Sequence, residues 1–250
     1  NRRIVLLYYK VSGSGSVCVF LHGFLESMTM WDYLSLSELK GKHVLIDLPG
    51  HGKSSIIEDQ IPSIDSMVES VISVLSKEGI EEFDVIGHSM GGYVALGLKD
   101  RMPRCRRVVL LNSNYWSDSP KKQKDRERVA EIAFASKNYF LKEAIPNLFS
   151  KPQKHTREIE QLISEAKKMS SEAISYASIA MKNRRNMSNI LNKSDYLVIH
   201  GGLDKHIQKE HFNLEAIGES NFHEIAGAGH MCHIEKPGQV IDILGSYLSL

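Results

Sequence analysis

Short apolar runs of strand length alternate with helix-period segments along most of this chain, and that alternation is the tightest constraint on its fold. Strands covered on both faces read as continuous apolar runs, and helices between successive strands produce parallel crossovers. Strands are expected at residues 4–9, 17–21, 43–47, 83–87, 107–111, 196–200 and 221–225. Between the third and fourth, Ile64, Met67, Val68, Val71, Val74 and Leu75 follow the i, i+3, i+4, i+7 rule over 64–78, and Gly79 closes that helix. Pro237 opens a last helix, where its missing N–H costs nothing. The expected class is α/β, with a mostly parallel twisted sheet flanked by helices.

One stretch breaks the pattern. Residues 113–192 contain no convincing strand, and Ile159, Leu162, Ile163, Ala166 and Met169 form one apolar helical stripe there, while Val129, Ile132 and Ala133 begin another. Structured insertions of this size in α/β proteins commonly lie over a site. The expected organisation is a core of residues 1–112 and 193–250, with a helical cap, 113–192, inserted after the strand near 107–111. Residues 119–190 hold fifteen Lys and Arg against eight Asp and Glu, a net of +7, which leaves −6 for the remainder. Such a face either is simply solvated or draws in an anionic substrate or carrier.

The chain as a whole is nearly neutral, at +1 over 250 residues, with 42% hydrophobic and 24% charged residues and a mean hydropathy of −0.23. That balance excludes a strongly basic nucleic-acid binder and an acidic disordered chain. The longest apolar runs are strand-sized, so no membrane span is expected. Cys18, Cys105 and Cys232 are too few and too scattered for a disulfide framework or a CxxC metal site, which fits a reducing, cytoplasmic compartment. The chain starts at Asn1, and a leader or tag trimmed ahead of it is compatible with that start.

Gly87-His88-Ser89-Met90-Gly91 follows the apolar run ending at Ile86 and opens an apolar helical segment. A serine on a sharp strand-to-helix turn exposes its hydroxyl above the sheet, and glycines two residues to either side let strand and helix approach. The helix N-terminus behind it favours negative charge on a nearby carbonyl oxygen. Serine needs a base held in one tautomer by an acid. His230 lies in a short loop past the strand at 221–225, with His233 as a rival; Asp204 follows the strand at 196–200, with Asp195 and Asp118 as alternatives. All three chosen residues fall at the carboxyl edge of a parallel sheet, where open α/β folds bind ligands. Backbone N–H donors for an oxyanion are expected from Met90, directly after the serine, and from Phe24, in the loop after the strand at 17–21. His230 and His233 have no third ligand spaced to complete a zinc site. The segment 47–54 lacks the spacing of a phosphate cradle and reads as a structural turn. Phe134, Tyr139, Phe140, Phe149 and Tyr176 are expected to divide between packing the helical insertion and lining an acyl pocket.

Leu21-His22-Gly23-Phe24, Asp47-Leu48-Pro49-Gly50-His51-Gly52-Lys53-Ser54, Gly87-His88-Ser89-Met90-Gly91-Gly92, His200-Gly201-Gly202-Leu203-Asp204 and Gly229-His230 together resemble the α/β-hydrolase superfamily over nearly the whole chain. The chain order Ser89, Asp204, His230 is the order of that superfamily. The nearest branch in these motifs is the cap-bearing serine carboxylesterases, including acyl-carrier-protein methyl ester esterases. Relatives that cleave haloalkanes or epoxides carry aspartate where Ser89 stands. The resemblance implies a cofactor-free ester hydrolase, monomeric or homodimeric, acting on a small acyl ester, neutral, anionic or carrier-linked. Two alternatives share the fold: a menaquinone-pathway type of C–C lyase, whose likeness includes the His22–Leu25 run, and a ligand-binding receptor.

Overall fold

The computed structural model describes residues 7–56, 61–193 and 196–248. Among them seven strands form one sheet: β1 (Tyr9–Gly13), β2 (Val17–Leu21), β3 (Lys42–Ile46), β4 (Phe83–His88), β5 (Cys105–Leu111), β6 (Tyr196–Gly201) and β7 (Phe222–Ile225). Their order is β1-β3-β2-β4-β5-β6-β7, with β1 antiparallel to β3 and every other pairing parallel. This is the mostly parallel sheet expected from the alternation, in the architecture that the α/β-hydrolase resemblance implies. The strand expected at 4–9 lies largely outside the described residues. The strand seen there starts at Tyr9 and runs through polar, exposed positions to Gly13.

Side chains alternate between two layers along the central strands. Val19, Leu21, Val85, Val108, Leu110 and Val198 pack to one side with helices α1 (Ile64–Lys77) and α2 (Met90–Arg101). Phe20, Ile86, Val109, Leu111, Leu197 and Ile199 pack to the other with Trp31 and the last helix. The period of two is that of a strand, and both faces are apolar because both are covered. Ser63 caps α1 by accepting from the Ser66 N–H at 3.1 Å.

Between β5 and β6 the described chain is helical: α3 (Pro120–Ala135), α4 (Lys137–Ala144), α5 (Thr156–Ala166) and α6 (Ser171–Lys182), joined by short turns. Ala133, Leu141, Ile145, Phe149, Ile159, Leu162, Ala166 and Met169 make a separate apolar cluster. That cluster also takes in Leu25, Met231 and Ile234, from the segments that follow β2 and β7, so the helices sit over the carboxyl edge of the sheet. After β6 come the short helices α7 (Leu214–Ile217) and α8 (Cys232–Glu235), then α9 (Pro237–Leu248). Among the described residues no helix is long and apolar enough to cross a membrane.

The sheet order places the site. From β2 the chain moves to β3 on one side, then returns to β4 on the other, so β2 and β4 flank the point where the winding reverses. Loops leaving adjacent strands at such a point diverge and open a crevice. The loops there are His22–Glu26 after β2 and the turn at Ser89 after β4.

Candidate active site

Ser89 occupies φ +48°, ψ −114°, a backbone conformation that a side-chain-bearing residue adopts only under constraint. Two glycines make the constraint possible. A Cβ on Gly91 would lie 2.3 Å from the Leu21 carbonyl oxygen, and one on Gly87 2.4 Å from the Gly91 carbonyl carbon. The turn is held by the Ser89 N–H donating to the Leu111 carbonyl at 3.0 Å and by Ser113 Oγ donating to the Ser89 carbonyl at 2.6 Å.

Three strand ends converge on this serine. His230 Nε2 lies 2.9 Å from Ser89 Oγ, and His230 Nδ1 lies 2.7 Å from Asp204 Oδ2. A carboxylate only accepts, so the Nδ1 carries the proton, Nε2 accepts, and the serine hydroxyl donates. Asp204 is buried and fully engaged. Its Oδ1 accepts from the His206 and Ile207 N–H groups at 2.8 and 3.2 Å, and Asn112 Nδ2 donates to Oδ2 at 2.9 Å. Burial alone would raise its pKa, but the His230 ring and these donors outweigh burial and hold it well below the usual carboxylate range. His230 is gripped through its backbone as well: its N–H donates to the Leu148 carbonyl at 2.8 Å, and His88 Nε2 reaches its carbonyl at 3.0 Å. Leu148 belongs to the helical stretch between β5 and β6, so that stretch helps to seat the imidazole.

A second buried unit lies behind the first. Glu26 Oε2 accepts from the Gly23 N–H at 2.5 Å and from His88 Nδ1 at 2.9 Å. Both ring nitrogens of His88 therefore face acceptors, a carboxylate and a carbonyl, and the ring carries both protons. Burial works against a charged imidazole, but Glu26 outweighs it and raises the His88 pKa. Burial likewise works against ionised Glu26, and His88 outweighs it, bringing Glu26 down to about 2. The pair ties the Gly23-Phe24 loop to the residue before Ser89 and to the backbone of His230. Gly23 is needed for this closeness: a Cβ there would stand 2.6 Å from Glu26 Oε2 and 2.7 Å from His88 Nδ1. The Phe24 and Met90 N–H groups make no hydrogen bond to any described residue; Met90 directly follows Ser89, and Phe24 lines the same cavity as Ser89.

His233 does not reach the serine. Its ring centroid packs 4.6 Å from that of His88, both nitrogens lack partners, and burial followed by the His88 charge keeps it neutral. Asp118 is paired with two arginines, and Asp195 lies outside the described residues. Among the described residues no group of three or more His, Cys, Asp or Glu side chains is gathered to hold a metal. The 47–54 segment is internally satisfied: Asp47 accepts from the Met28 and Lys53 N–H groups at 2.7 and 2.9 Å, and Ser54 Oγ donates back to its carbonyl at 2.6 Å.

Ser89 and His230 open onto a cavity of about 990 Å³. Its apolar walls are Phe24, Tyr93, Tyr115, Trp116, Phe140 and Leu148. Of the five aromatics expected to divide between packing and an acyl pocket, two or three of them lining it, Phe140 alone lines the cavity. Phe149 and Tyr176 are buried in packing, and Phe134 and Tyr139 point to solvent, because the cavity is faced mainly by residues of the sheet-edge loops.

Residues 18–243 match the alpha/beta hydrolase family. The chain belongs to that family. A thermophilic esterase from Thermogutta terrifontis superposes with a TM-score of 0.88 at 25% identity, covering 98% of this chain and 93% of that one. The dihydrolipoyllysine-residue acetyltransferase component of the acetoin cleaving system of Pseudomonas putida is 27% identical over 244 residues, 94% of this chain. This alpha/beta hydrolase chain spans 64% of that relative's length. A 2-hydroxymuconate semialdehyde hydrolase from Pseudomonas sp. (strain CF600) is 36% identical over 107 residues, 41% of this chain and 38% of its own.

Sequence reasoning did not find Glu26, His88, Asn112 or His206. Asn112, the first polar residue after the apolar end of β5, was open to the same carboxyl-edge argument that selected Asp204 and His230. Glu26 and His88 take their roles from contacts across the fold, which no spacing rule encodes, whereas His206 serves Asp204 locally, through its N–H two residues on.

Proposed function

We propose that the protein is a serine hydrolase of carboxylic esters working through an acyl-enzyme on Ser89. The reading rests on one observation above all: the unbroken hydrogen-bonded line from Ser89 Oγ through His230 to Asp204, opening on an apolar cavity. Ser89 Oγ attacks the acyl carbon as His230 Nε2 takes its proton, and Asp204 stabilises the resulting imidazolium. The Phe24 and Met90 N–H groups, free of internal partners, are assigned to the tetrahedral oxyanion. His230 then protonates the leaving alcohol, and water repeats the cycle on the acyl group. In this reading helices α3 to α6 act as a cap that walls the acyl site and, through Leu148, steadies the base. The esterase likeness supports the same reaction class.

A series of p-nitrophenyl esters of graded acyl length tests it. The expected result is a burst of about one nitrophenolate per chain, followed by slower turnover, with Ser89→Ala reducing kcat by about 10⁶. Ester turnover that survives Ser89→Ala would contradict the mechanism. Absence of turnover and burst with all esters would favour the lyase or receptor alternatives.

A further inference from the structure

The cavity wall formed by α3 carries a cation with no partner. Lys122, Asp125, Arg126 and Val129 lie at i, i+3, i+4 and i+7 on that helix, and all four line the cavity that holds Ser89. Asp118, just ahead of the helix, is fully used: Arg184 Nη1 reaches its Oδ1 at 2.7 Å and Arg126 Nε reaches its Oδ2 at 3.1 Å. Arg184 is further held by the Trp116 and Met181 carbonyls and lies over the Tyr93 ring at 4.1 Å. Arg126 makes no other side-chain bond to the described residues, which leaves its Nη groups unengaged. The Lys122 ammonium has neither a hydrogen bond nor an ion pair among them; only its backbone N–H is used, by Ser119 Oγ.

This arrangement is unfavourable without a ligand. Lys122 is half-buried, and burial first, then the Arg126 charge, works against its protonated form more than Asp118 and Asp125 favour it. It also stands in the first turn of α3, where the helix dipole disfavours cations. Around the cavity Lys122, Arg126 and Arg184 face Asp118 and the exposed Asp125, Glu26 and His88 cancel each other, and the ionised Asp204 behind His230 offsets the remaining charge of the site as a whole; the cation without an ion pair is local to the α3 wall, at Lys122.

We infer that Lys122 and Arg126 form a carboxylate-binding subsite, so that the natural ester is a monoanion whose carboxylate bridges these two side chains while its acyl carbon meets Ser89. The inference rests on the ester-hydrolase reading and deepens it. The free fork of Arg126, one helical turn from the unpaired Lys122, suits a planar two-oxygen anion such as a carboxylate. The net of +7 over residues 119–190 is thereby narrowed to a contact. Lys121 and Lys124 are exposed and do not line the cavity, so surface attraction by those lysines is not what discriminates.

The test uses the methyl half-esters of succinate, glutarate and adipate, each beside the uncharged methyl ester amide of the same length. At the best length, kcat/KM for the acid is expected to exceed that for the amide by about tenfold or more, as one charge-assisted contact allows. Lys122→Gln is expected to reduce that ratio by about 10- to 100-fold, whereas Lys121→Gln and Lys124→Gln leave it unchanged. A ratio near one at every length, or a ratio indifferent to Lys122→Gln, overturns the subsite while leaving the esterase reading intact. Calorimetric titration of Ser89→Ala with monomethyl glutarate and with its uncharged amide separates the two claims. Tighter, Lys122-dependent binding of monomethyl glutarate, with no ester turned over by the wild type, supports the subsite and removes the ester reaction; equal binding of acid and amide overturns the subsite.

Discussion

At the scale of single residues, the site is two coupled hydrogen-bonded chains, and the one behind the serine invites the sharper test. Glu26 holds the Gly23 N–H and a doubly protonated His88, and His88 in turn holds the carbonyl of His230. Glu26→Gln keeps the size and removes the charge. We expect kcat to fall by about 10- to 100-fold with KM nearly unchanged, because the loop assigned to the oxyanion and the base proposed at His230 both lose their anchor. Stability follows a definite sign. The folded pKa of Glu26 is about 2 against an ordinary 4.5, so its contribution is full above pH 4.5 and is lost as pH falls through that window. Wild type should therefore be more stable than Glu26→Gln at neutral pH, and the gap in urea midpoint should close between pH 4.5 and 2. A gap independent of pH would show that Glu26 is not ionised in the folded protein.

At the scale of elements, the strained turn between β4 and α2 depends on the absence of side chains where it crosses β2. Gly91→Ala drives a Cβ to 2.3 Å from the Leu21 carbonyl, and backbone on both sides leaves nothing that can yield. We expect a loss of about 1–3 kcal/mol in denaturant unfolding, with activity lost as the Ser89 turn relaxes. Gly238→Ala, early in α9 with nothing within 4 Å of the added Cβ, should be neutral or slightly stabilising. Equal effects of the two changes would contradict the close-approach argument. The elements also show what a sequence encodes. The buried strands β2, β4, β5 and β6 were legible because covering both faces demands an apolar run. The edge strand β1 was not, because Lys10 to Gly13 are exposed and are held by pairing with β3 rather than by burial.

At the scale of the whole molecule, the sheet order explains why distant residues meet. Ser89, Asp204 and His230 could be picked from sequence because each follows a parallel strand, and all such ends share one edge. The cavity could not be picked the same way. Its walls combine the β2 loop, the stretch after β5 and the face of α3, and which side of α3 turns inward depends on how α3 packs against α6. Phe140 on α4 lines the cavity, whereas its neighbour Tyr139 and Phe134 on α3 face solvent. The account's central claim is that one serine, activated by this assembly, is the nucleophile. Its most direct test is the intact and peptide mass of the protein after treatment with a fluorophosphonate. The account expects one adduct per chain, on the peptide carrying Ser89, absent in Ser89→Ala and formed about 10³- to 10⁴-fold more slowly in Asp204→Asn. No adduct on Ser89 in a protein that still turns over esters would contradict it.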